Sequence, residues 1–276
     1  MRDDLLSRGT TVRHLPPRSD KALSAAILKS FNTWAYKREQ PSDTDLLLEL
    51  IERRVEERRP VSFVSYWGKG PRAHLAAPDR DCLDYLLSMA RRIESVWPEG
   101  ASFTLLTTDT HAQLNGHSEA AIDSYFAGVD AAARARGMQT IRLSRVVESY
   151  ESGVAPLLPG VGSGCGDNDN DNDVVDDQTA IIHDLARCAA KWYRGDGTPE
   201  AGARRYFAMN MIERRAVEEM FPSSVFATFN GSSYRDLFPL RLPIFYMYSL
   251  KRGTSVKPWF MDGDGTPFRN VEASFG

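Results

Sequence analysis

Between positions 61 and 145, three short apolar runs alternate with two longer stretches of helical periodicity. The first run is Val61-Ser-Phe-Val-Ser65, which breaks into Tyr66-Trp67-Gly68-Lys69-Gly70-Pro71. The second is Ser102-Phe-Thr-Leu-Leu-Thr-Thr108, ending in Asp109-Thr110-His111, and the third is Thr140-Ile-Arg-Leu143. Short apolar runs bounded by turn residues read as buried strands. Leu83, Leu86, Leu87, Ala90, Ile93 and Val96 instead recur at helical spacing, opened by Pro78-Asp79 and stopped by Pro98-Glu99-Gly100. Ser118 caps a second helix from Glu119 to Arg136, with Gly137 as its stop. This order predicts an α/β fold, a Rossmann-like and mostly parallel sheet with flanking helices.

Helical patterns also lie on either side of that block. Lys21 to Tyr36 places Leu23, Ala26, Ile27, Phe31 and Trp34 near one stripe. Ser42-Asp43-Thr44-Asp45 offers an N-cap for a helix from Leu46 to Arg59, which Pro60 ends. Residues 20–60 are therefore expected to form an N-terminal helical cap, either a lid over the sheet edge or a plain appendage. Residues 1–19, with Pro16-Pro17, read as a flexible arm. The stretch 61–276 reads as a Rossmann-like catalytic domain. It is interrupted at 160–175 by Gly-rich and Asp/Asn-rich sequence that cannot bury a core. The alternation Asp167-Asn-Asp-Asn-Asp-Asn-Asp173 mimics a calcium loop. Gln178 stands at its twelfth position and the glycine is missing, so the segment reads as a disordered insertion.

Two more helices follow, Thr179 to Tyr193 and Glu200 to Met220, the latter with Tyr206, Met209, Ile212, Val217 and Met220 as its apolar positions. Val225–Phe229, Leu242–Leu250 and Lys257–Met261 then read as strands. Because no helical pattern separates them, they are expected as antiparallel C-terminal strands.

Composition narrows the function classes. The net charge of −3 gives no basic excess for nucleic acid. Arg53-Arg54 and Arg58-Arg59 are interleaved with Glu52, Glu56 and Glu57, as on a solvated helix face. Three cysteines without CxxC spacing argue against a disulfide framework or a zinc site, and no histidine pair has ligand spacing. No apolar run approaches a membrane span, and the N-terminus lacks a signal-peptide core. The expectation is a cytoplasmic protein that binds no metal, membrane or nucleic acid. Its oligomeric state does not follow from the sequence.

Ligands of parallel α/β sheets bind outside the carboxyl ends of the strands. Lys69, Asp109, His111 and Asn115 all follow predicted strands directly. Gly68 and Gly70 would let backbone amides approach an anion, with Lys69 as a point charge, although the spacing is neither a P-loop nor a dinucleotide fingerprint. Asp109 suits an amine or a ribose hydroxyl. His111 suits proton transfer. Catalytic candidates are thus Lys69, Asp109 and His111. Binding candidates are Gly68, Gly70 and Asn115, with Tyr66, Trp67 and Tyr125 as aromatic walls and Arg235 and Arg241 as carboxylate grips.

The layout resembles the isocyanide synthase family, also described as pyoverdine/dityrosine biosynthesis proteins. The resemblance runs over roughly residues 45–265. It rests on Arg58-Arg-Pro-Val-Ser-Phe63 opening the first strand, on Lys69, and on Pro78-Asp79. It continues with Pro98-Glu-Gly-Ala101 before a strand ending in Asp109, then with Phe221-Pro222, Lys257-Pro-Trp259 and Asp262-Gly263. The family's alanine-proline-lysine loop stands here as Tyr66-Trp-Gly-Lys69, and its serine-aspartate-glycine as Thr108-Asp109-Thr110. Only Lys69 and Asp109 carry over. The resemblance implies a Rossmann-like enzyme that builds an isonitrile from an amino acid and a pentulose phosphate. The expected function is a biosynthetic enzyme of specialised metabolism acting on an amino acid or a derivative of one. One alternative is a transferase or cyclase using S-adenosylmethionine, similar to azetidine-2-carboxylate synthases, with Tyr66 or Trp67 facing the sulfonium. Another is a non-catalytic small-ligand binding protein.

Overall fold

A computed structural model of the chain describes residues 20–68, 70–153, 182–183, 185–187, 189–190, 193–232, 235 and 238–247. The expected arm, the insertion at 160–175, the third late strand and Lys69 lie outside them. Five strands form one sheet: β1 (Val61–Trp67), β2 (Ala101–Thr107), β3 (Gln139–Arg142), β4 (Val225–Thr228) and β5 (Ile244–Tyr246). Their order is β3-β2-β1-β4-β5, and every neighbouring pair is parallel. The helices are α1 (Asp20–Phe31), α2 (Thr44–Glu56), α3 (Ala77–Glu94), α4 (Asp109–Leu114), α5 (Glu119–Arg134), α6 (Leu143–Glu151) and α7 (Pro199–Met220).

The two faces of the sheet are covered differently. Val61, Phe63 and Trp67 of β1 share a core with Ile27 and Phe31 of α1, Leu47 and Ile51 of α2, Leu83 and Leu86 of α3, and Tyr125 of α5. Val64 faces the other way, into a core with Val146 of α6 and Val217 of α7. This is the alternation of a strand, carried through a sheet covered on both sides. α1 and α2 thus lie over the α3/α5 face. Phe31 is fully buried and meets Phe63 at 5.4 Å and Phe245 at 5.2 Å, both edge-on, so it joins α1 to β1 and β5.

Several sequence expectations change. β1 runs to Trp67, because it pairs with β2 in unbroken register from Val61↔Ala101 to Trp67↔Thr107, so Tyr66 and Trp67 are strand residues and not loop. β4 and β5 are not antiparallel additions. Each pairs parallel with its neighbour, and residues 229–243 make the crossover between them. Antiparallel pairing comes from the segment after α1, which runs beside β5. Arg38 N–H donates to Tyr246 O at 2.9 Å, Ser42 N–H donates to Ile244 O at 3.0 Å, and Lys37 bridges to Met247. That segment occupies the free edge of β5, an edge that sheets otherwise have to protect. α1 stops at Phe31, which leaves Trp34 outside the stripe and 69% exposed. α6, which follows β3 without a loop, was not foreseen.

Phe31→Ala is expected to lower stability by about 3–5 kcal/mol in urea unfolding, the cost of deleting a buried aromatic ring. A loss below about 1 kcal/mol would contradict the packing of α1 on the sheet.

Candidate functional site

The carboxyl end of β2 turns sharply into α4. Thr108 makes the turn, its hydroxyl donating to Trp67 O at 3.0 Å. Asp109, Thr110 and His111 then occupy the first helical turn and point in different directions, as about 100° per residue requires. The expected loop is therefore a short helix. Asn115 is its C-cap, and Gly116 follows at φ 80. A Cβ on Gly116 would stand 2.7 Å from the Arg194 carbonyl oxygen, so glycine is needed there for both φ and space.

Asp109 turns toward α6. Its Oδ1 accepts the Ser144 N–H at 3.1 Å and its Oδ2 accepts the Ser144 hydroxyl at 2.5 Å. Both oxygens of this buried carboxylate hold the start of α6, an anchor between the ends of β2 and β3. Thr110 and His111 turn toward α7, where Glu213 has no solvent exposure. The Thr110 hydroxyl donates to Glu213 Oε1 at 2.6 Å, and His111 Nε2 lies 2.7 Å from Glu213 Oε2. Two tyrosine rings lie steeply inclined to the imidazole, Tyr206 at 5.3 Å and Tyr66 at 6.3 Å between ring centroids. A groove of about 310 Å³ opens beside this cluster, with Thr110 and Glu213 among its lining and Val147, Met209 and Ile212 as apolar walls.

Glu213 was not foreseen. The sequence offers a signal once the buried stripe of α7 is known. Tyr206, Phe207, Val217 and Met220 set the buried side, and Asn210, Glu213 and Arg214 fall on it. Polar residues at core positions of a helix must be paired, and such residues are often functional. Counting Met209 and Ile212 as core positions hid them, for Ile212 is 43% exposed.

The other predicted residues divide. Tyr66 and Trp67 are neighbours on a strand and therefore face opposite sides of the sheet. Tyr66 joins Phe226 and His111. Trp67 is buried on the α3/α5 side, donating from Nε1 to Tyr125 Oη at 3.3 Å. Burial pushes the Tyr125 phenol up to about 12; the Trp67 hydrogen bond works against that rise, and the nearby Asp79 carboxylate adds to it. Trp67 and Tyr125 are core, and they form no wall with Tyr66. Gly68 is half-buried and Gly70 exposed at the end of β1. Arg235 and Arg241 are both exposed, and the Arg241 N–H is held by the Glu218 carboxylate. The structure thus brings together Tyr66, Thr110, His111 and Glu213. Among the described residues no group of three or more His, Cys, Asp or Glu is placed to hold a metal ion. No described helix is long and apolar enough to cross a membrane.

No family model matches the sequence, and no curated protein matches it significantly. Among solved structures the chain is similar to the PvcA protein of Pseudomonas aeruginosa. The TM-score is 0.55 at 14% sequence identity, over 86% of this chain and 88% of that one. At this identity the likeness shows a shared α/β fold over most of both chains.

His111→Ala would leave the Glu213 carboxylate buried without its partner. The expected loss is about 3–5 kcal/mol in urea unfolding, with part of it recovered in the His111→Ala/Glu213→Met double variant. A loss below about 1 kcal/mol would contradict the buried pair.

Proposed function

We propose that the protein is a small-molecule biosynthetic enzyme acting on an amino acid or a derivative of one. Its reaction is isocyanide formation from an amino acid and a pentulose phosphate. The observation that carries this reading is the His111–Glu213–Thr110 cluster at the carboxyl end of β2, beside the end of β1, in a sheet of order β3-β2-β1-β4-β5. Strand ends next to the reversal of strand order are where such sheets take ligands. The sequence layout over residues 45–265 supports the choice of reaction, and the fold shared with PvcA supports the Rossmann-like framework that the layout implies.

The chemistry asks for a group that moves protons. Joining an amine to a sugar carbonyl moves two protons from nitrogen to the carbonyl oxygen, which departs as water. An imidazole beside a buried carboxylate can carry both near neutral pH. Lys69, next in the chain after Gly68, supplies the charge for the sugar phosphate, and Gly68 and Gly70 supply close backbone. The S-adenosylmethionine alternative needs Tyr66 or Trp67 to face the sulfonium. Trp67 packs in the core against Tyr125, which leaves Tyr66, beside His111, as the one ring for that role.

Incubation with amino acids and ribulose 5-phosphate is expected to give an isonitrile detectable by mass spectrometry. His111→Gln, which keeps a donor toward Glu213, should lose about 10²–10⁴-fold in turnover. Absence of product together with no calorimetric heat from ribulose 5-phosphate would overturn the reading. Heat from S-adenosylmethionine alone would replace it with the alternative.

A further inference from the structure

Glu213 divides its two oxygens between different donors, and that division has a consequence for His111. An ionised carboxylate only accepts hydrogen bonds. Oε1 is taken by the Thr110 hydroxyl at 2.6 Å, and Oε2 faces His111 Nε2 at 2.7 Å. The nitrogen opposite Oε2 must then carry a proton. In a neutral imidazole one nitrogen donates and the other accepts, so the lone pair is left on Nδ1. Among the described residues Nδ1 makes no hydrogen bond, whereas Nε2 is committed. The rings of Tyr66 and Tyr206 pack against the imidazole and oppose the flip that would exchange its two sides.

We infer that Glu213 is a positioning residue that locks His111 as the Nε2–H tautomer, which makes Nδ1 the atom that takes and returns the proton. Thr110 completes the device. It fills the second oxygen of Glu213, so the carboxylate is held in one orientation and neither oxygen of this buried side chain is left bare. The same logic applies wherever a carboxylate fixes an imidazole by its far nitrogen. Here the carboxylate comes from α7 and the imidazole from α4, so the tautomer depends on the docking of two helices far apart in sequence. This inference rests on His111 being the proton-transfer group of the proposed site, but its test does not need turnover.

The full chain, labelled with 15N-histidine, is examined by long-range 1H–15N correlation at a pH where the imidazoles are neutral. His74 and His117 are exposed and serve as internal references for an unconstrained ring. A hydrogen bond to a charged group is worth about 1.5–3 kcal/mol, so the Nε2–H to Nδ1–H ratio of His111 should exceed theirs at least about tenfold. In Glu213→Met the ratio should fall to that of the references, while the amide spectrum stays that of the folded protein. Glu213→Asp should restore part of the bias. A His111 ratio in the wild-type protein equal to that of His74 and His117, or a predominant Nδ1–H form, would overturn the inference whatever the variants do. Failed turnover with an intact tautomer bias would count against the proposed reaction alone.

Discussion

A carboxylate with no access to water organises the carboxyl end of this sheet. Taking a charge out of water costs several kcal/mol unless strong partners surround it. Glu213 is fully buried on α7, and its partners are the Thr110 hydroxyl and His111 Nε2 on α4. The requirement that both oxygens be satisfied fixes α4 against α7, and α4 begins where β2 ends. Arg214, next on α7, is 2% exposed and lies over the rings of Phe226 and Phe238, at 5.8 and 5.5 Å. A helix that might have been all apolar on its inner side therefore carries charge at two successive buried positions. Apolar residues of similar volume would serve stability as well or better, which makes the polar choice informative about function.

The sheet decides which side chains can work together. With a period of two, β1 sends Tyr66 toward α7 and Trp67 toward α5. With 3.6 residues per turn, α4 sends Asp109 toward α6 and His111 toward α7. Two pairs of residues, each close in sequence, are thereby parted. Asp109 anchors the start of α6, Trp67 packs in the core, and Tyr66 and His111 meet. Closeness along the chain suggested that these residues share one pocket, whereas the fold gives each of them different neighbours.

The parallel core was legible because β1 and β2 are apolar runs bounded by clear stops, and because the cluster at 42–45 and Ser118 supply N-caps, Asp43 in the first case. Three features were not legible. The pairing of β5 depends on the crossover at 229–243, where no helical periodicity announces a return to the same strand direction. α6 begins at Leu143 directly after β3, so no turn residue marks its start. Glu213 was hidden because the inner stripe of α7 is set by its contacts with Tyr66, Phe226 and the residues around 185–189, and long-range packing of that kind leaves no local trace. The α/β layout was visible in the sequence, and it stands as a fold shared with PvcA at 14% identity.

The central claim is that the His111–Glu213–Thr110 cluster is where small-molecule chemistry takes place. Crystals of the protein grown with ribulose 5-phosphate test it most directly. The account predicts ligand density within hydrogen-bond reach of the His111 imidazole, about 3 Å between heavy atoms or one water away. Density confined to a site with no contact to His111, Thr110 or the end of β1 would contradict it.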